Sequence, residues 1–102
     1  MRIIHGGTVK AWAGRHPDAA ESLAAWLKNA SVAKWRSLSE VRNVYPHADP
    51  VVVGSGRTVV VFNIRGNRYR LVTAIHYNRQ VIYTLRFLTH AEYSKNRWKD
   101  TL

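Results

Sequence analysis

The chain has no cysteine, only three prolines and six glycines, and just six carboxylates among its 102 residues. Without cysteine there is neither a disulfide scaffold nor a Cys-ligated zinc site, and a reducing cytoplasm is the expected compartment. No apolar run approaches the roughly 18–20 residues needed to span a bilayer, and no short apolar block follows a basic start. Neither a transmembrane helix nor a signal peptide is therefore expected, and no membrane partner. Internal repeats and low-complexity tracts are missing too. The length suits one domain, residues 1–102, with one modest core. The scarcity of acid says most: between Asp49 and Glu92 there is no carboxylate at all.

Arginine fills that gap. Sixteen Lys and Arg against six Asp and Glu give a net charge of +10. Residues 1–50 hold seven bases and four acids, whereas residues 51–102 hold nine bases and two acids. A basic half with no internal counter-charge points to a polyanion, or to an acidic partner protein. Arginine presents a planar fork suited to phosphate, which makes a merely solubilising surface the weaker explanation. Hydrophobic content of 46%, with four Trp and five Tyr, belongs to a folded globule.

Helical signals come first along the chain. Arg2 to His5 reads as a short strand. Thr8 is placed to cap a helix with Val9, Trp12 and Ala13 on one face, ending near His16. Pro17-Asp18 starts another: proline suits the first helical position and an acid the first turn. Ala20, Leu23, Trp26, Leu27 and Ala30 follow at helical spacing. Ser39 to Tyr45 predicts a shorter third helix that Pro46 stops. The segments around His47 to Pro50 and Gly54 to Gly56 read as loops.

The second half predicts three antiparallel strands. Gly66-Asn67 is a two-residue hairpin turn of the Gly-X type. Folding about it pairs Ile64 with Tyr69, Phe62 with Leu71 and Val60 with Thr73 on one apolar face. The other face pairs Arg65 with Arg68 and Asn63 with Arg70. A turn around Asn78-Arg79-Gln80 then matches Leu71, Thr73 and Ile75 to Phe87, Leu85 and Tyr83, because a one-residue slip would turn every side chain over. That register sets Arg86 opposite Val72 and aims His90 toward Arg68. Asn63, Arg65, Arg68, Arg70 and Arg86 are thus expected on the sheet face that the helices leave uncovered. Thr89-His-Ala-Glu92 has the Thr-x-x-Glu form of a capping box, so a short helix should begin there with His90 in its first turn and Tyr93 close behind. A histidine in this setting is a candidate proton carrier near neutral pH.

These blocks resemble a known family. Phe62-Asn-Ile, Gly66-Asn67, Tyr69-Arg-Leu-Val72 and Thr89-His-Ala-Glu-Tyr93 are similar to the signature segments of the HigB-type toxins within the RelE superfamily, and His16-Pro-Asp-Ala19 fits that family's early helical segment. The resemblance implies an α+β fold, with an N-terminal strand and two to three helices packed on one face of a curved antiparallel sheet. It implies a type II toxin that cleaves messenger RNA on the translating ribosome. It further implies neutralisation by a helix-turn-helix (HigA-type) antitoxin, with DNA met only indirectly through the antitoxin complex. One departure is visible: the family often continues after the Tyr with an Asp, whereas Ser94-Lys95-Asn96-Arg97 follows here.

Catalytic sets vary across the superfamily, so roles must rest on chemistry. Metal-independent RNA cleavage needs a base for the 2′-hydroxyl, cations for the crowded phosphate and an acid for the leaving oxygen. Arg70 and Arg86, mid-sheet, are the expected phosphate clamp. His90 is the candidate base or acid, and Tyr93 the second proton carrier or a stacking surface for a base. Arg57, Arg65, Arg68 and Lys95, with Asn63, are the expected RNA-binding rim. His5, His16, His47 and His76 are spaced too irregularly for a metal site, and no cofactor is called for. The four Trp read as core, Trp98 least clearly. Two other classes stay open: a non-catalytic RNA- or ribosome-binding module, and, less well supported, a DNA-binding regulator, for which no helix-turn-helix is found.

Overall fold

Alternating apolar side chains build the centre of the molecule, a computed structural model that describes residues 1–102. In strand β3 (Thr58–Ile64), Val60, Phe62 and Ile64 join one buried cluster, and Val59 and Val61 join another on the opposite face. Both faces of this strand are therefore covered. β3 pairs antiparallel with β4 (Tyr69–His76) in the predicted register, Ile64 with Tyr69, Phe62 with Leu71 and Val60 with Thr73.

Between β4 and β5 (Val81–Thr89) the expected register holds only partway. Leu71 meets Phe87 and Val72 meets Arg86, but an irregularity between Val72 and Thr73 then sets Thr73 against Thr84 and Ile75 against Ile82. Such a bulge places two residues opposite one and locally re-aims side chains. Leu85 consequently packs with the second cluster. Thr84 turns inward, where its hydroxyl donates to the carbonyls of Ile4 and His5, each at 3.2 Å.

Two edge strands complete an open five-stranded sheet in the order β1-β5-β4-β3-β2. β1 (Arg2–Ile4) runs parallel to β5, so the sheet is mixed rather than wholly antiparallel. β2 (Asp49–Val52) pairs antiparallel with β3 and includes Asp49-Pro50, which was expected in a loop. Proline has no N–H to give a ladder, and an edge strand tolerates that.

Three helices cover one face: α1 (Gly6–Arg15), α2 (Ala20–Val32) and α3 (Leu38–Val44). α1 begins before Thr8; its N-cap is His5, in the left-handed region at φ 69°. Pro17–Ala19 forms a 3-10 turn that leads into α2. α3 is capped by Ser37, whose hydroxyl accepts the Glu40 N–H at 3.3 Å. Val9, Leu23, Trp26, Ala30 and Val41 from these helices pack with Phe62, Leu71 and Ile82.

The opposite face, expected to be bare, is partly roofed by α4 (His90–Ser94) and a 3-10 turn, Arg97–Thr101. Trp98 is 7% exposed and packs with Val53, Val59, Val61 and Val72. An indole buries a large apolar area against these valines, which draws the basic tail onto the sheet. Gly54 lets the tail come close: its N–H donates to the Lys99 carbonyl at 2.9 Å, and a Cβ there would stand 2.9 Å from the same oxygen.

Candidate functional site

The arginine-rich turn is built differently from the expected two-residue type. Positive φ falls on Arg65 (52°) and Gly66 (63°), and the turn spans Arg65 to Arg68, with the Arg68 N–H donating to the Arg65 carbonyl at 3.3 Å. Arg65 and Arg68 are therefore turn residues and not a ladder pair. Both side chains swing to the helix side. Arg65 Nη1 donates to the Asp18 backbone carbonyl at 2.7 Å and lies 3.6 Å from the Asp18 carboxylate; Arg68 Nη1 lies 3.8 Å from it. The Tyr69 hydroxyl donates to that carboxylate at 2.8 and 3.0 Å. The Tyr69 hydrogen bond, then Arg65 and Arg68, hold the Asp18 carboxyl below its ordinary range against some desolvation. The same bond and partial desolvation raise the Tyr69 phenol. Two of the three arginines in this stretch thus already have a counter-ion.

Arg70 does not. It is 9% exposed, and no carboxylate lies within ion-pair distance. Nη1 donates to the carbonyls of Asn67 and Tyr69, each at 3.1 Å, and Nη2 donates to the Asn67 side-chain oxygen. Nη2 also faces His90 Nδ1 at 3.3 Å. Four of the five guanidinium N–H groups are thereby engaged, leaving Nε–H open. Its central carbon sits 5.4 Å from the centroid of the Tyr93 ring, a cation–π arrangement. Arginine can only donate, so His90 Nδ1 must accept, and in the neutral ring the proton then resides on Nε2.

The start of α4 positions His90. Thr89 and Glu92 form the predicted capping box: the Glu92 N–H donates to Thr89 Oγ1 at 3.2 Å, and the Thr89 N–H donates to Glu92 Oε1 at 2.9 Å. The His90 N–H donates to the Arg68 carbonyl at 2.8 Å, tying helix to turn. Three residues on, Tyr93 stacks on Trp98 with centroids 5.2 Å apart and planes at 20°. Trp98 Nε1–H donates to the Tyr93 carbonyl at 3.1 Å. Burial first, then the Asp49 carboxylate, push the Tyr93 phenol up, with Arg70 opposing. Tyr93 is thus a protonated donor at neutral pH.

A groove of about 400 Å³ opens beside this cluster, lined by Asn63, Arg70 and Tyr93 together with Arg42, His47 and Asp49. Arg42 lies in α3, His47 in the link that follows it and Asp49 at the start of β2, and the sequence reading gave none of them a role in the site. Arg42 braces that link, its Nε donating to the Ala48 carbonyl at 3.0 Å. Asp49, the last carboxylate before the acid-free stretch, was the available signal. Reading Asp49-Pro50 as a loop hid its pairing with Val61.

The other named residues lie elsewhere. Arg86 is not in the groove: Nη1 donates to its neighbour's carbonyl, Leu85, at 2.8 Å, and Nη2 to Thr101 Oγ1 at 3.3 Å, under the C-terminal turn. Arg86 keeps its expected place opposite Val72, and the tail that Trp98 anchors over that face takes its side chain. Arg57 flanks a small hollow with Val53, Leu85 and Leu102, and Lys95 is exposed just past α4. Asn63, Arg70, His90 and Tyr93 are brought together; Arg57, Arg65, Arg68, Arg86 and Lys95 are not part of that cluster. No three His, Asp or Glu side chains are grouped to hold a metal ion. No helix is long and apolar enough to cross a membrane.

No curated protein matches the chain. A family model does, over residues 19–96, and it describes a RelE-like toxic component of a toxin–antitoxin system. That span holds the arginine turn, the groove and the capped His90 helix, and the open sheet with helices packed against it is the architecture expected of that family. The chain belongs to the HigB toxin family, the RelE-like toxins of toxin–antitoxin systems.

Proposed function

We propose that this toxin is an mRNA interferase, a cytoplasmic endoribonuclease that cuts messenger RNA on the translating ribosome and is silenced by a helix-turn-helix antitoxin. One observation carries the reading: Arg70 is a buried cation without a carboxylate, bonded to a histidine beside an open groove. A buried charge lacking a counter-ion is costly. A phosphate entering the groove supplies one.

In this reading a phosphodiester rests near Arg70 Nε and Asn63. A non-bridging oxygen takes over the Nη2–H that His90 Nδ1 accepts in the free protein, and the released ring nitrogen takes the proton of the ribose 2′-hydroxyl. The 2′-oxygen attacks phosphorus and the bond to O5′ breaks. O5′ takes the phenolic proton of Tyr93. The products are a 2′,3′-cyclic phosphate and a 5′-hydroxyl end, so the balance requires neither water nor a metal ion. Arg70 meets the charge that accumulates on the non-bridging oxygens, where preorganised donors act most strongly. Arg57, Arg86 and Lys95 serve as outlying cations for the flanking strand, and Arg65 and Arg68 add to the field near the turn.

A second reading, a non-catalytic RNA- or ribosome-binding module, draws on the same residue, because four engaged donors also describe a structural arginine. Mapping RNA ends on programmed ribosomes separates the two. Cleavage should produce new 5′-hydroxyl ends that vanish with His90→Ala. Binding without new ends selects the module, and 5′-phosphate ends would mean that water rather than the 2′-hydroxyl attacks. Induction alone should arrest growth of a bacterial host, and co-expression of the antitoxin should restore it.

A further inference from the structure

At the far end of β4 from Arg70 lies a second basic concavity. It has a volume of about 660 Å³ and is lined by Lys34, Arg36, Tyr77, Asn78 and Gln80. β4 runs Tyr69–His76. At about 3.4 Å per residue, the two sites stand roughly 24 Å apart.

This concavity is rigidly made. Gln80 adopts the left-handed region at φ 57°, and its Nε2 donates to the carbonyls of Trp35 at 2.7 Å and Tyr77 at 2.9 Å. It thereby clamps the segment between α2 and α3 to the turn between β4 and β5. Trp35 is 5% exposed and anchors that segment in the core, while its neighbours Lys34 and Arg36 are exposed. Arg79, exposed on the same turn, flanks the lining without belonging to it. None of these three cations makes a side-chain hydrogen bond or an ion pair; the chain's two salt bridges both use Asp18. The Glu40 carboxylate accepts the Arg36 backbone N–H at 2.7 Å and leaves the guanidinium free. Tyr77 is half-buried, so the concavity offers charge without an exposed stacking face. Single strands are held largely by stacking; a double helix of RNA is held by its phosphates and 2′-hydroxyls.

We propose that this concavity is a second RNA-binding site, in which Lys34 and Arg36, with Arg79 at its flank, take the phosphates of double-helical RNA. It stands on binding alone and does not depend on whether the groove cleaves.

The test is fluorescence anisotropy against salt, with a labelled RNA hairpin closed by a stable tetraloop and, separately, a trinucleotide too short to reach both sites. Lys34→Gln/Arg36→Gln should weaken hairpin binding on the order of tenfold and lower the slope of log affinity on log salt by roughly one to two units. Trinucleotide affinity should move much less. Lys10→Gln/Lys28→Gln removes the same charge from exposed positions on α1 and α2 and should leave hairpin binding near wild type. Unchanged hairpin affinity and slope in the Lys34/Arg36 variant would overturn the proposal. Equal losses in both double variants would also overturn it, because net charge would then explain them. Loss of binding to an acidic antitoxin with hairpin binding intact would assign the surface to a protein partner instead. Arg79→Gln, on the facing turn, should reproduce the hairpin effect at about half the change in slope.

Discussion

Arg70 Nη2 stands 3.3 Å from Nδ1 of His90, twenty residues further along the chain. A donor-only guanidinium at that nitrogen fixes which ring nitrogen can accept, so the pair acts as a unit. His90→Ala should lower single-turnover cleavage by about 10²–10⁴, the range of one positioned proton carrier, with RNA affinity nearly kept and one limb of the pH–rate profile lost. Arg70→Lys keeps the charge but cannot make the four-way fork, and should cost about 10²–10³ in rate. Wild-type cleavage by both variants would remove this pair from the chemistry.

Asp18 and Tyr69 share one hydrogen bond that should fail at both ends of the pH scale. The Asp18 carboxyl is lowered in the fold. Its contribution is therefore present above the unfolded value of about 3.9 and is lost as pH falls through the folded one. The Tyr69 phenol is raised, so its contribution is present below about 10 and is lost as pH climbs through the folded value. Chemical denaturation across pH should give curves that Asp18→Asn flattens at both ends, whereas Tyr69→Phe removes the alkaline fall and only weakens the acid one, since Arg65 and Arg68 still act on Asp18. Wild-type-like curves for both variants would mean that the bond does not contribute.

Gly54 is tested by one methyl group. A Cβ at this position meets the Lys99 carbonyl at 2.9 Å, a backbone atom that cannot rotate away. Gly54→Ala should destabilise the protein by about 1–3 kcal/mol, as overpacking does, and should speed amide exchange in Arg97–Thr101 first. Uniform exchange across the chain would show that the tail is not docked there.

Trp98→Ala leaves a cavity under Val61 and Val72 and should cost about 3–5 kcal/mol. Trp98→Phe keeps the stack on Tyr93 while losing the Nε1–H bond to the Tyr93 carbonyl. It should cost about 0.5–1.5 kcal/mol for that hydrogen bond, plus a smaller packing loss. Thermal melts of the three proteins order them: Ala below Phe below wild type. Equal melting temperatures would place Trp98 outside the core.

Local chemistry made much of this legible. The β3–β4 register follows from a period of two on each side of a Gly-containing turn, and it set Ile64, Asn63, Phe62 and Val60 against Tyr69, Arg70, Leu71 and Thr73 as observed. The Thr-x-x-Glu box announced α4, and the same register carried His90 to the Arg68 carbonyl. Long-range choices were not legible. Nothing near Arg2 says that β1 will run parallel to a strand some eighty residues away, and the extra residue in β5 shows only when Thr84 turns in to meet Ile4 and His5. Arg65 and Arg68 left the open face because a left-handed turn swung them to Asp18, and Arg86 left the groove because Trp98 drew the tail across the sheet. Periodicity and capping act over a few residues and are written in order along the chain. Which cations find a carboxylate, and which stay free for a phosphate, depends on surfaces that meet only after folding.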